Sequence, residues 1–219
     1  MSEVHVKTVH FLRHAQGWHN VAGLEDPVNG YLRDDLVDAE LSTLGIEQCA
    51  SFATSKVITD VELVVVSPMR RTLQTASQCF PHCIDSIPFV AHECIRETTG
   101  LHPCDLRLPI DVHKGTHKHV SFDHINDNED PYYYKYTKCR EPKEHVSSRA
   151  KEFFKWLHCR PEQEIAVVTH SAFLREVFHS VLQYHSEEEE QLKRDHGHFA
   201  NCEVKSYKID FPELKITVL

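Results

Sequence analysis

The stretch Phe11-Leu12-Arg13-His14-Ala15-Gln16-Gly17-Trp18-His19-Asn20 places an Arg-His pair where an apolar run ends, with an asparagine six residues beyond His14. The segment ahead of it, 4–12, is short, apolar and β-branched. Two more of the same kind follow, Val61-Glu62-Leu63-Val64-Val65-Val66 and Glu164-Ile165-Ala166-Val167-Val168-Thr169. Short continuous apolar runs suit strands buried on both faces of a parallel sheet. Ile87-Pro88-Phe89-Val90 reads as a weaker strand, with Pro88 near its start, where a missing backbone donor is best tolerated.

Helical patterns lie between these runs. Ser42 is placed to cap a helix whose apolar face would be Leu44, Cys49, Phe52 and Ala53. A second helix follows Pro68, which fits a first helical turn. In a third, Val146, Ala150, Phe153, Phe154 and Leu157 recur at helical spacing, and a fourth starts at Ser171 with Ala172, Leu174, Val177, Phe178 and Val181. Strands alternating with helices predict an α/β fold: a three-layer sandwich with a mostly parallel central sheet and helices on both faces. The runs 203–209 and 214–218 read as a terminal hairpin. Residues 1–219 are then one domain, interrupted at 98–143 by an irregular lid or insert that holds several prolines and histidines and Tyr132-Tyr133-Tyr134.

In open α/β sheets, ligands bind beyond the carboxyl ends of the strands. Four predicted strands end on polar groups: Arg13-His14, Ser67-Pro68-Met69-Arg70-Arg71, Arg96-Glu97 and His170-Ser171. One His or Arg at a strand end is ordinarily a surface or capping residue; four at equivalent positions point to a site. Guanidinium groups grip a phosphate dianion in bidentate fashion and stay charged at any working pH. An unprotonated imidazole can attack phosphorus, and a carboxylic acid can protonate the leaving alkoxide. The first N–H groups of the helix after Ser171 suit the same anion.

Arg13-His14 with Asn20, Leu41-Ser42-x-x-Gly45, Ser67-Pro68-x-x-Arg71-x-x-x-Thr75, Glu97 and Thr169-His170-Ser171 resemble the histidine phosphatase superfamily. His102-Pro103-Cys104-Asp105 and Phe199-Ala200-Asn201-Cys202-Glu203 are most similar to its phosphoglycerate mutase-like branch in plants and fungi. The resemblance implies His14 as nucleophile and Glu97 as proton donor. It implies Arg13, Arg71 and His170 as the groups that hold the phosphoryl, with Asn20 and Ser171 beside it. The family's spacing selects Arg71 over Arg70, which is then a surface or lid contact. Ala15 departs from the family's commoner glycine after the histidine. Phosphoglycerate mutases of the family carry an Arg-His-Tyr run after the acid, whereas Thr98-Thr99-Gly100 follows Glu97 here. The expected activity is therefore a metal-independent, cofactor-free phosphatase that forms a phosphohistidine on His14 and acts on a phosphorylated small molecule. A mutase-type phosphotransferase and a non-catalytic phospho-ligand binder are the alternatives.

Composition narrows the classes further. The chain has 219 residues, and its net charge of −9 argues against nucleic acid or an acidic membrane surface as partner. The N-terminus shows no secretion signal and no run is long enough to span a membrane, so the expected location is cytoplasmic. Eight cysteines, none in a C-x-x-C pair, read as reduced thiols rather than disulfides or zinc ligands. His113-x-x-x-His117-x-His119 with His124 raises a metal site, but a solvated or substrate-facing lid is the preferred reading. Arg107, Lys114 and Lys118 would then meet further negative charge on a substrate. The acidic run 187–190 reads as a solvated face. Oligomeric state is not legible in the sequence.

Overall fold

The structure, a computed structural model, describes residues 5–55, 57–186, 190–191 and 193–219. Seven strands form one sheet: β1 (His5–Arg13), β2 (Leu63–Val66), β3 (Phe89–Ala91), β4 (Val120–Ser121), β5 (Glu164–Thr169), β6 (Val204–Phe211) and β7 (Lys215–Val218). Their spatial order is β4-β3-β2-β5-β1-β6-β7. The first five are mutually parallel, and the β6–β7 hairpin closes one edge antiparallel to β1. Val4, at the start of the first expected strand, and positions 187–189 of the acidic run lie outside the described residues.

The continuous apolar strands feed two cores because successive side chains point to opposite faces. Val9, Phe11, Leu63, Val65, Ile165 and Val167 face one layer of helix. Leu12, Val64, Val66, Ala166 and Val168 face the other. Helix α1 (Trp18–Glu25) follows the Arg-His pair, and the other main helices are α2 (Thr43–Ser55), α3 (Arg70–Cys79), α4 (Ile110–Thr116), α5 (Lys143–His158) and α6 (Ser171–Glu176). The predicted α5 stripe, Val146, Ala150, Phe153, Phe154 and Leu157, is buried on the first face. Each of its buried Val, Phe and Leu side chains contributes roughly 1.5–3 kcal/mol relative to exposure.

Local details differ from the sequence pattern. Ser42 does cap α2, its Oγ accepting from Gly45 N at 3.1 Å. Leu44, however, is 48% exposed, because the buried stripe of α2 runs through Gly45 and Cys49, about 100° around the helix. Helix α3 begins at Arg70, two residues after Pro68. Phe173 is buried and Ala172 half-buried on α6, and the helix passes into a π-type turn at Val177–Val181.

Segment 98–143 holds α4, several short 3-10 turns and β4, which extends the parallel sheet beside β3. Buried charges clamp it down. Arg96 meets Asp130 in bidentate fashion at 2.9 and 2.6 Å, and the Arg107 and Tyr132 amides also donate to Asp130. Burial pushes the Asp130 carboxyl up, but Arg96 outweighs it and holds the pKa at about 2. Arg107, expected to face substrate, is instead 2% exposed. Its guanidinium donates to the carbonyls of Leu108, Asp127, Asn128 and Glu129 and so ties one loop together.

His102 lines the cleft described below, and the other four histidines of this segment divide between two places. His113 Nε2 lies 3.0 Å from the buried carboxylate of Asp38, while His117 and His119 flank Ser77. His124 stacks on His92 beside Trp156 instead. They do not converge as a metal site would require. No helix among the described residues is long and apolar enough to cross a membrane.

If the Arg96–Asp130 clamp anchors the segment, Asp130→Ala leaves the buried Arg96 with Glu93 as its remaining counter-charge, strips the Arg107 and Tyr132 amides of their acceptor, and lowers stability by about 3 kcal/mol in urea denaturation. A much smaller loss would mean that the segment is not held by this pair.

Candidate active site

The carboxyl ends of β1, β2 and β5 lie side by side: Arg13 is registered with Thr169, and Ser67 N donates to Val168 O at 3.0 Å. The chain turns sharply after each strand. His14 N donates to Thr169 O at 2.9 Å, which points the His14 loop into the crevice. Thr75, on α3, receives Ala15 N on its hydroxyl at 3.0 Å and returns its own proton to Arg71 O. Gln48 and Ser42 fasten Gln16 from the side of α2. The approach is close enough that a Cβ on Gly45 would stand 2.1 Å from Gln16 O. This is the physical reason for the Leu41-Ser42-x-x-Gly45 spacing.

A cleft of about 210 Å³ opens here, lined among others by Arg13, His14, Asn20, Arg71, Glu97 and Ser171. His14 is 2% exposed. Its Nδ1 lies 2.7 Å from the Ala15 carbonyl. A carbonyl only accepts, so Nδ1 carries a proton, and in the neutral ring Nε2 then keeps a free lone pair. Burial, then the charges of Arg71 and Arg13, drive the His14 pKa well below the ordinary imidazole range.

Arg71 is 1% exposed, and three partners hold its guanidinium. Nη1 donates to Cys104 O at 2.7 Å, Nη2 to Asp105 Oδ1 at 3.2 Å, and Nε to His170 Nδ1 at 3.3 Å. His170 therefore accepts on Nδ1 and donates from Nε2 to Ser67 Oγ at 2.8 Å. It stands one layer behind the cleft wall, its ring 5.2 Å from that of His14. Arg13 donates from Nη1 to Phe199 O at 2.7 Å, whereas its buried Nε has no partner. Asn20 accepts on Oδ1 from Gly17 N and from Asn201 Nδ2.

Glu97 is docked on the start of α6. Oε1 accepts from Phe173 N at 2.9 Å and from Thr98 N at 2.8 Å, and Oε2 accepts from Ala172 N at 3.1 Å. Arg149, on α5, steadies the approach to Glu97 by donating to the carbonyls of Cys94, Arg96 and Glu97. Arg70 is half-buried and does not line the cleft.

The fold adds His19, Tyr31, His102, Cys104, Asp105, Arg140 and Arg175 to the wall. Arg175 was findable, since it lies four residues after Ser171 on one helix face. Arg140 has no such signal. It reaches the site across the insert by donating to Thr98 O, to Gly100 O and, at 2.5 Å, to Asp105 Oδ2. His19 is buried against His14, and burial and Arg71 again push its pKa well down. Four arginines against two carboxylates give the cleft a positive balance within an acidic chain.

The chain matches the family described as the histidine phosphatase superfamily (branch 1) over residues 9–217. It is 35% identical over 234 residues to a phosphoglycerate mutase-like protein of Arabidopsis thaliana, an alignment that covers 93% of this chain and 84% of that one. Among solved structures it is similar to a mycobacterial glucosyl-3-phosphoglycerate phosphatase, with TM-score 0.58 and 16% identity over 97% of each chain. It is equally similar to the phosphoglycerate mutase of Bacillus anthracis str. Sterne, with TM-score 0.58 and 15% identity, covering 99% of this chain and 92% of that one. At such identities these two structures share the fold alone, and the fold hosts both reactions.

The close seat of α2 on the His14 loop is open to a direct check. Gly45→Ala forces α2 and Gln16 apart and is expected to cost about 1–3 kcal/mol in stability, read from the denaturation midpoint. An unchanged midpoint would contradict that contact.

Proposed function

Because the chain belongs to the histidine phosphatase superfamily, we propose that it is a phosphatase that hydrolyses a phosphate monoester by way of a phosphohistidine on His14. The observation that carries this reading is the buried His14, its Nδ1 turned to Ala15 O and its Nε2 left without a partner, in the same cleft as Arg13, Arg71 and Glu97; burial and the two arginines favour its neutral form. A cation at that position would be useless as a nucleophile. Burial beside two guanidinium groups both keeps the imidazole neutral and supplies positive charge for the phosphoryl oxygens.

In the proposed reaction, the Nε2 lone pair forms a bond to phosphorus as the ester P–O bond breaks. Glu97, entering as the carboxylic acid, gives its proton to the leaving oxygen. Water then attacks phosphorus, Glu97 takes back a proton, and the N–P bond breaks to release inorganic phosphate and neutral His14. Arg13 contributes its unpartnered Nε, Arg71 its remaining guanidinium protons and Asn20 its amide N–H groups, and Ser171 lines the same wall. His170 completes the cradle from behind by fixing Arg71. Hydrolysis is favoured over mutase chemistry by Thr98-Thr99-Gly100 after the acid, where Thr98 O and Gly100 O are engaged by Arg140. The Arabidopsis relative's name keeps phosphoglycerate chemistry as the comparison to run.

Wild-type protein with EDTA present is expected to hydrolyse a generic aryl phosphate, and His14→Ala to lose the rate by at least about 10³-fold. Equal rates in the two proteins would sink the reading, and interconversion of phosphoglycerates exceeding hydrolysis would replace phosphatase with mutase. The pH dependence follows from the depressed His14 pKa. The nucleophile stays deprotonated below the ordinary imidazole value of about 6.5, so kcat/KM, corrected for the substrate's own ionisation, shows no loss as the pH is lowered through that value. A tenfold fall per pH unit on going below 6.5 would show an unperturbed histidine.

A further inference from the structure

Cys49 on α2, Cys79 at the end of α3 and Cys202 ahead of β6 come from three separate elements and meet at one point. Their three sulfurs all lie within 4.8 Å of one another, and Cys79 Sγ is 3.8 Å from Cys202 Sγ. A tetrahedral cation with metal–sulfur bonds of about 2.3 Å holds its sulfurs about 3.8 Å apart. A disulfide, by contrast, brings them to about 2.05 Å. Cys202 also has a left-handed backbone, with φ of 59°. That region favours glycine or asparagine, so a cysteine there is held in a strained conformation that aims its thiol at the other two. The Cys202 N–H donates to His14 O, so the cluster lies directly behind the loop of the candidate active site.

We propose that Cys49, Cys79 and Cys202 form a three-thiolate site for a thiophilic divalent cation of the Zn²⁺ class, apart from the phosphoryl-transfer chemistry. Three thiolates carry three negative charges; a divalent ion leaves one, whereas a monovalent ion would leave two in a mostly buried place. Among the described residues no histidine or carboxylate joins the cluster, so the fourth position falls to water, a coordination that Zn²⁺ takes when it has three protein ligands. Access is through Cys202, which is half-buried while Cys49 and Cys79 are closed off. Binding displaces the thiol protons into solvent and involves no change of oxidation state. The site does not rest on the phosphatase reading, and removing its cation with EDTA leaves the predicted hydrolysis in place so long as the fold holds.

The test is titration of reduced full-length protein with Cd²⁺ alone, following the sulfur-to-cadmium charge-transfer absorption. One equivalent is expected to saturate the signal and raise Tm, with Zn²⁺ competing for the same site. Cys202→Ser should weaken binding by more than about 100-fold, whereas Cys139→Ser with Cys159→Ser, at exposed positions, should leave it unchanged. Absence of one-equivalent binding, or binding equal in Cys202→Ser, overturns the proposal. So does a Cys79–Cys202 disulfide formed under mild oxidant in protein that takes up no Cd²⁺, since the cluster is then a redox pair. Should the serine variants not fold, alkylation of the wild type decides. Equimolar Zn²⁺ must protect Cys202 from iodoacetamide while Cys139 still reacts, and equal labelling of Cys202 with and without Zn²⁺ refutes the site.

Discussion

The structure around the cleft depends on one buried cation. Arg71 leaves α3 almost wholly out of water and ties two distant parts of the chain to that helix. It reaches the insert through Cys104 O and Asp105, and the end of β5 through His170. Desolvating a guanidinium costs several kcal/mol unless good acceptors replace the water. Two of those acceptors come from the segment that follows Glu97, so the cleft and the insert are stabilised together. Arg140 closes the same circuit by pairing with Asp105 from the far end of the insert.

The same charge governs the imidazoles. His14, His19 and His170 are all buried, and burial is the first reason that their pKa values fall, with Arg71 the second in each case. A fixed positive charge in a poorly solvated place disfavours a second one nearby. Three histidines in a row are thereby kept neutral, and the hydrogen-bond partners choose the tautomers: Ala15 O sets His14, while Arg71 and Ser67 set His170. Anion binding and nucleophile preparation thus rest on one arrangement of charge.

The parallel core was legible because its signal is local. Leu63-Val64-Val65-Val66 and Ile165-Ala166-Val167-Val168 are apolar without a break, as strands covered on both faces must be. The α5 stripe was equally plain. Leu44 was misread because two competing apolar stripes fit α2, and only packing against the His14 loop picks the one through Gly45. Arg107 was misread for a related reason. An arginine in a polar, irregular stretch looks solvent-facing until the surrounding carbonyls fold around it.

The sequence by itself determined the alternation of strand and helix, the positions of Arg13-His14 and His170 at strand ends, and the family that these residues resemble with Arg71 and Glu97, which the structure sets on α3 and beyond a 3-10 turn after β3. These are encoded in short-range periodicity and in residues at fixed spacing. The tertiary structure alone decided which nitrogen of His14 is free, that His170 stands behind Arg71, that Arg140 enters the cleft, and that Cys49, Cys79 and Cys202 meet. Each of these is set by hydrogen bonds, burial or contacts between residues far apart in the chain, and such quantities exist only once the elements have packed.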